Sequence, residues 1–429
     1  MRTDDIIELA EVLDRVGYYA MEVWGGATFD APLRFLLEDP WERLVKVRES
    51  VKKTKLMMLL RGSNLVGYRR YPNDVIKAFI EYAYRDGIDI FRVFDALNDL
   101  DNLDYPIKII KDVGAELQVC IAYTTSPIHT TEYYERLASE IISRFEPEWI
   151  TIKDMAGLMD PYTGYELVKT LKGYGVKIDF HSHTTSGLAP MTLLKAVEAG
   201  ADAIDTVISP LAYFTSHTAA EPLIHALRKG GYEVKINEME LYRAAELGYE
   251  IKKRYSEFDY SLKHSVVDIK VLKHQIPGGM LSNLVTQLKQ FKMEDKLEEV
   301  LEEVYKVRED LGWPPLVTPM SQIVGAQAVL NVLSGRYATI VRELKDYVLG
   351  KYGKPPGKIK EEIVNKVKGI SESTEEAEEV VDLKVAKSRL PKQYVRKFED
   401  YITYALFPNE ALKLLEIEYY KRLSKSVSA

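Results

Sequence analysis

From residue 18 to about 208, short apolar runs rich in β-branched or aromatic residues alternate with amphipathic stretches. The runs are "YYAMEV" (18–23), "KLMMLL" (55–60), "IDIFRVF" (88–94), "LQVCIAY" (117–123), "EWITIK" (148–153), "KIDFHSH" (177–183) and "DAIDTVI" (202–208). Runs apolar on both faces suit a parallel sheet covered by helices. Between them, stretches such as "PNDVIKAFIEYAYRDG" (72–87) place apolar residues at helical spacing. The run starts fall roughly 30 residues apart, the length of one βα unit. The pattern predicts an α/β fold, a (β/α)8 TIM barrel first and an open doubly wound sheet second. The chain opens on a helix, "RTDDIIELAEVLDRVG" (2–17), with Thr3 as the expected N-cap. A barrel here would therefore lack its first strand. Past residue 235 the spacing turns helical, in "NEMELYRAAELGYEIKKRY", "MEDKLEEVLEEVYKVREDLG", "SQIVGAQAVLNVL" and "NEALKLLEIEYYKRL". We expect a barrel domain over 1–232 and a mainly helical domain over 233–429. Within the second, "KYGKPPGKIKEEI" reads as a stiff connection and "GISESTEEAEEVVD" as a solvated acidic linker near 370–382.

Composition narrows the function classes. Across 429 residues, 46% are hydrophobic and 29% charged, which describes a soluble globular chain long enough for two domains. The formal charge is -7, and no basic-aromatic cluster stands against it, so no nucleic-acid partner is expected. No apolar run approaches the ~20 residues that span a bilayer, and the N-terminus carries no signal pattern. We expect a cytoplasmic protein without membrane insertion. Cys120 is the one cysteine; it lies in an apolar run, so a buried thiol and no internal disulfide are expected.

Chemistry in a barrel gathers where strands end, which selects Glu22, Trp24, Arg61, Asp95, Asn98, Lys153, Asp154, His181 and His183. Residues two apart on a strand share a face, so the imidazoles of His181 and His183 can converge on one ion or form a polar strand end. Lys153 in "TIKDMAG" has two readings as well: an ion pair with Asp154, or a carboxylated amine that ligates the same ion. Arg61, in "LLRGSNLVGYRRYP" ahead of Tyr68, offers a planar fork for a carboxylate. "FDALND" reads chiefly as a cap. Thr318 in "PLVTPMSQIVG" reads as an N-cap, and His274 in "HQIPGGMLSNL" as a structural histidine.

Taken together, "EVWGGATFD", "PWERL", "LLRGSNLVGYRRYP", "DIFRVFDALND", "IAYTTSP", "IKDMAGL", "HSHTTSGLAPMT", "AVEAGADAIDT", "HQIPGGMLSNL", "PPLVTPMSQIVGAQAVLNVL" and "YALFPNEALKLLE" resemble one family along nearly the whole chain. It is the carboxyltransferase component of biotin-dependent pyruvate carboxylases, oxaloacetate decarboxylases and transcarboxylase. The resemblance implies a barrel followed by a helical funnel domain. It implies that His181, His183 and a carboxylated Lys153 bind a divalent metal, commonly zinc, manganese or cobalt, with Met155 lining the pocket. Arg61 would contact pyruvate and Tyr68 line the biotin side; Thr318 would be the catalytic threonine, against its capping reading, and Ser321 a biotin contact. The substrates would be pyruvate or oxaloacetate and carboxybiotin on a separate carrier. The partners would be a biotin carboxylase or carrier subunit, within a homodimer or larger assembly. The chain departs from the family in four ways. It lacks the Arg-Asp-x-His-Gln-Ser strand that supplies a further metal ligand. It carries Tyr213, Phe214 and His217 where small residues and a glutamine are usual. It has Gln322 in place of a lysine, and it lacks a biotinylation motif. A catalytically impaired structural subunit is the alternative from another class, and a metal-dependent aldol-type lyase or synthase on a similar barrel is a third.

Overall fold

A computed structural model describes residues 1–258, 267–290, 292–371 and 381–427. All seven apolar runs form strands: β1 Ala20–Gly25, β2 Lys55–Leu60, β3 Ile90–Val93, β4 Glu116–Ala122, β5 Trp149–Asp154, β6 Lys177–Ser182 and β7 Ala203–Ile204. They run parallel in chain order, separated by helices as the periodicity predicts. Every residue of β3 and of β5 is buried, because both faces of the strands are covered. β7 is shorter than its apolar run. The Asp205 amide still donates to Phe180 O of β6 at 3.0 Å, but Val207 then bridges Ala219 instead of β6.

By contact density the chain forms two compact units. The first comprises Met1–Val93, Asn102–Leu117 and Ala377–Ala429 and contains β1 to β3. Its core is aromatic: Trp24 lies 4.9 Å from Trp41, edge-on, and 5.5 Å from Phe79, stacked, with Phe29 and Phe407 against them. The indole N–H groups do not go unsatisfied in this core: Trp24 donates to Pro40 O and Trp41 to Thr403 Oγ1, each at 2.9 Å. Arg396 pairs with Asp39 at 2.9 Å and fastens the C-terminal segment to the helix Pro40–Ser50, whose N-cap is Asp39.

The expected N-cap role of Thr3 does not hold. Thr3 lies inside the helix Thr3–Leu13, and its own N–H and Oγ1 donate to Glu38 Oε2 at 3.1 and 2.6 Å. A carboxylate brought by the tertiary fold meets the positive end of that helix, and its charge serves the exposed N–H better than a neutral hydroxyl.

The second unit comprises Phe94–Asp101 and Gln118–Glu376. It contains β5 to β7 and the helices Glu238–Arg254, Leu297–Asp310 and Met320–Ser334, all in stretches with helical spacing. A buried polar pair joins the last two of these: Asn331 Nδ2 donates to Glu303 Oε1 at 2.8 Å, and within the second of the two Gln327 Nε2 donates to Asn331 Oδ1 at 2.8 Å. Arg308 is buried and donates to Pro314 O at 2.8 Å, to Thr124 Oγ1 at 2.9 Å and to Gln275 Oε1. It ties the helical region to the segment that follows β4. No described helix is long and apolar enough to cross a membrane. Most of the acidic linker, 372–380, lies outside the described residues.

Candidate active site

β5 and β6 pair so that Lys153 stands beside His181 and Thr151 beside Asp179. Alternation turns these four side chains to one face, and all four are buried. Lower on that face Thr151 Oγ1 meets Asp179 Oδ2 at 3.1 Å; at the strand ends Lys153 Nζ lies 3.3 Å from His181 Nε2. A polar column inside a covered sheet marks this face as more than packing. Asp154 points the other way. Its oxygens accept from Leu158 N at 2.9 Å, Met159 N at 3.0 Å and Ser182 Oγ at 3.1 Å. The ion pair of Lys153 with Asp154 is thus replaced by a turn cap, since consecutive strand residues face opposite ways.

Three imidazoles gather at this end of β6: His181, His183 and His217, with ligand atoms all within 4.8 Å of one another. His181 Nδ1 lies 2.6 Å from Asp205 Oδ2, His183 Nδ1 2.6 Å from Thr215 O, and His217 Nδ1 3.0 Å from Ser182 O. Carboxylate and carbonyl oxygens only accept, so each Nδ1 carries the proton and each Nε2 is the ligand nitrogen. Burial, with Lys153 and His217 nearby, holds His181 well below the usual imidazole range. Burial followed by the proximity of His217 takes His183 down to about 3. Both are neutral at pH 7, the form a metal requires.

In the first unit, Arg61 follows β2. Its Nη1 donates to Val66 O at 2.7 Å and Gly67 O at 3.3 Å, and its guanidinium lies 5.2 Å from the Tyr68 ring centre. Nε is buried without a partner, and Nη2 has none among the described residues. The idle Nε/Nη2 edge matches one carboxylate in a two-point bond. A Cβ at Gly26, which sits at φ +49°, would come within 3.4 Å of Nη2; glycine keeps that approach open. Tyr68 OH donates to Asp30 Oδ2 at 3.3 Å.

Thr318 is half-buried and precedes a cis bond to Pro319. The N-cap of Met320–Ser334 is Pro319, with no side-chain capping bond, so Thr318 does not cap this helix. Ser321 is buried in the first turn of that helix, and Met155 is half-buried just beyond β5. Asp95 caps a turn through Leu97 N at 2.7 Å, as expected of "FDALND", and Asn98 pairs with the backbone of Ala122. Cys120 is buried. Sequence reasoning missed Asp205 as the partner of His181, and it noted His217 only as a bulky departure. The one signal for His217 was its place as a third histidine near "HSH" in a chain with seven.

The conserved carboxylase domain family matches residues 271–428, and an HMGL-like family matches 93–247. A pyruvate carboxylase subunit of Methanocaldococcus jannaschii is 50% identical over 97% of this chain and 75% of its own length. The 2-oxoglutarate carboxylase large subunit of Hydrogenobacter thermophilus is 44% identical over 96% of this chain and 64% of its own. Among solved structures, the carboxyl transferase domain of Rhizobium etli pyruvate carboxylase with pyruvate superimposes with a TM-score of 0.90. It is 30% identical and covers 98% of this chain, which covers 75% of that one. The α/β fold is thus of the TIM-barrel carboxyltransferase type. With half its residues shared along nearly its full length, the chain belongs to the carboxyltransferase subunit family of biotin-dependent pyruvate carboxylases.

Proposed function

We propose that the chain moves a carboxyl group between carboxybiotin, borne on a separate carrier subunit, and pyruvate, giving oxaloacetate. The observation that carries this is the pairing of Lys153 with His181 at the ends of β5 and β6, with His181 locked by Asp205. Lys153, after carboxylation of its amine, His181 and His183 would hold a divalent ion, zinc, manganese or cobalt. Such an ion supplies Lewis acidity toward the enolate oxygen of the substrate. Arg61 binds the carboxylate of pyruvate through Nε and Nη2, and its charge favours the developing enolate. Tyr68 and Ser321 seat the ureido ring, and Met155 lines the metal pocket.

Thr318 moves the proton. Its Oγ accepts one from the methyl group of pyruvate and passes its own to the ureido nitrogen as the N–CO2 bond breaks. The enolate carbon then forms a bond to the released CO2. The same steps reversed decarboxylate oxaloacetate, so a decarboxylase or transcarboxylase assembly would use this site unchanged.

The test combines metal analysis of the purified chain with oxaloacetate decarboxylation stimulated by free biotin. A bound divalent ion, and turnover that disappears in Thr318→Ala, are expected. A chain with neither ion nor turnover would instead be a subunit that keeps only partner-binding surfaces.

A further inference from the structure

We infer that His217 is a ligand of the same ion, so that three imidazoles and Lys153 form the set; this rests on the metal reading above. His217 stands in the "TSHTAAEP" stretch, where the family resemblance leads one to expect glutamine. The His217 ring centre lies 4.4 Å from that of His181 and 4.6 Å from that of His183. Its ligand atom is within 4.8 Å of theirs, and donation from Nδ1 to Ser182 O leaves Nε2 as the unprotonated nitrogen.

The backbone around it is arranged to deliver it. Tyr213 and Phe214 take left-handed conformations in succession, φ 71° and 57°, which side chains of this size adopt rarely. The turn they make is closed by Tyr213 N to His217 O at 2.7 Å and Ser216 N to Tyr213 O at 2.9 Å. It is then docked on β6: His183 and His217 form an antiparallel bridge, and Thr184 N donates to Ser216 O at 2.8 Å. Thr215 O of the same turn orients the ring of His183. One turn therefore places one imidazole and aims a second. The bulk at Tyr213 and Phe214 belongs to this turn.

A structural role would need only the hydrogen bond to Ser182 O, and a glutamine amide can donate there as well. His217→Gln therefore separates the two roles, because it keeps a donor and replaces a nitrogen ligand by an amide oxygen. Three neutral nitrogens suit zinc and cobalt better than manganese, which favours oxygen. Apo protein prepared with a chelator is titrated with Zn2+ and with Mn2+ against a chromophoric competitor, and its Co2+ complex is followed by visible absorption. The expected result in His217→Gln is a loss of zinc affinity of about tenfold or more, a smaller loss for manganese, and an altered Co2+ spectrum. The unfolding midpoint in excess chelator should stay at the wild-type value. Zinc affinity within twofold of wild type and an unchanged Co2+ spectrum would overturn the assignment. If His217→Gln folds poorly, His217→Gly with added imidazole replaces it, and recovery of the wild-type Co2+ spectrum is then the supporting result, its absence the refuting one. Affinity lost in His183→Gln but retained in His217→Gln would leave the metal reading standing and remove only His217. A wild-type chain that takes up no ion would end both.

Discussion

Replacing Arg61 by lysine keeps the charge and removes the planar edge that the site leaves idle. Arg61 Nη1 is committed to Val66 O at 2.7 Å and Gly67 O at 3.3 Å, so under the proposed function substrate would be met by Nε and Nη2. A carboxylate held there accepts two charge-assisted hydrogen bonds, each contributing about 1.5–3 kcal/mol. An ammonium group on a flexible stem re-forms one of them at best. The net loss of about 1.5–3 kcal/mol corresponds to roughly a 10- to 150-fold fall in kcat/KM. The assay is oxaloacetate decarboxylation with free biotin, with KM and kcat resolved separately and the unfolding midpoint measured in parallel. The parallel measurement matters because Val66 O and Gly67 O lose their donor, which costs about 1 kcal/mol of stability independently of substrate. A folded Arg61→Lys protein whose kcat/KM stays within threefold of wild type would refute the role of the Nε/Nη2 edge.

Three further outcomes are expected. Asp205→Asn removes the charged partner of His181 Nδ1 and should weaken zinc binding by about 10- to 100-fold while leaving the apo protein's unfolding midpoint in place; competition titration checks it. Gly157 sits at φ +67°, and a Cβ there would fall 2.4 Å from His183 O, so Gly157→Ala should cost about 2 kcal/mol or more, read by urea unfolding. Burial raises the Asp14 carboxyl, but donors from the backbone of Lys52, Thr54 and Lys53 outweigh it and leave its pKa below the usual value. Its contribution is thus fully present above the unfolded value of about 4 and is lost as pH falls through the lower folded value. Asp14→Asn should therefore be less stable than wild type at pH 7 by about 1–2 kcal/mol, with the gap narrowing as the pH is lowered below about 4; urea midpoints across that range decide it.

The strands could be read from the chain because apolar runs covered on both faces are a local signal, and each predicted run holds a strand. The extent of those runs was enough to put Lys153, His181 and Arg61 at or just past strand ends, and the rule that alternate residues share a face paired His181 with His183 in one direction. Alternation sends Lys153 and Asp154 to opposite faces, against the ion-pair reading of the two, and which partners each would find was not local. Asp154 turned to Leu158, Met159 and Ser182, and Lys153 to His181 on the next strand.

Other features depended on residues far apart in sequence, and no periodicity encodes those. Glu38 caps the helix that begins at Thr3, Asp39 meets Arg396, and Thr403 receives the indole of Trp41. Asp205 reaches His181 from beyond the next strand, and His217 arrives on a strained turn. Residue type and strand register could supply two imidazoles and a lysine at one end of the sheet. Bringing Asp205 and His217 to them took the packing of β6 against its neighbours, because only folding determines where a loop's side chains come to rest.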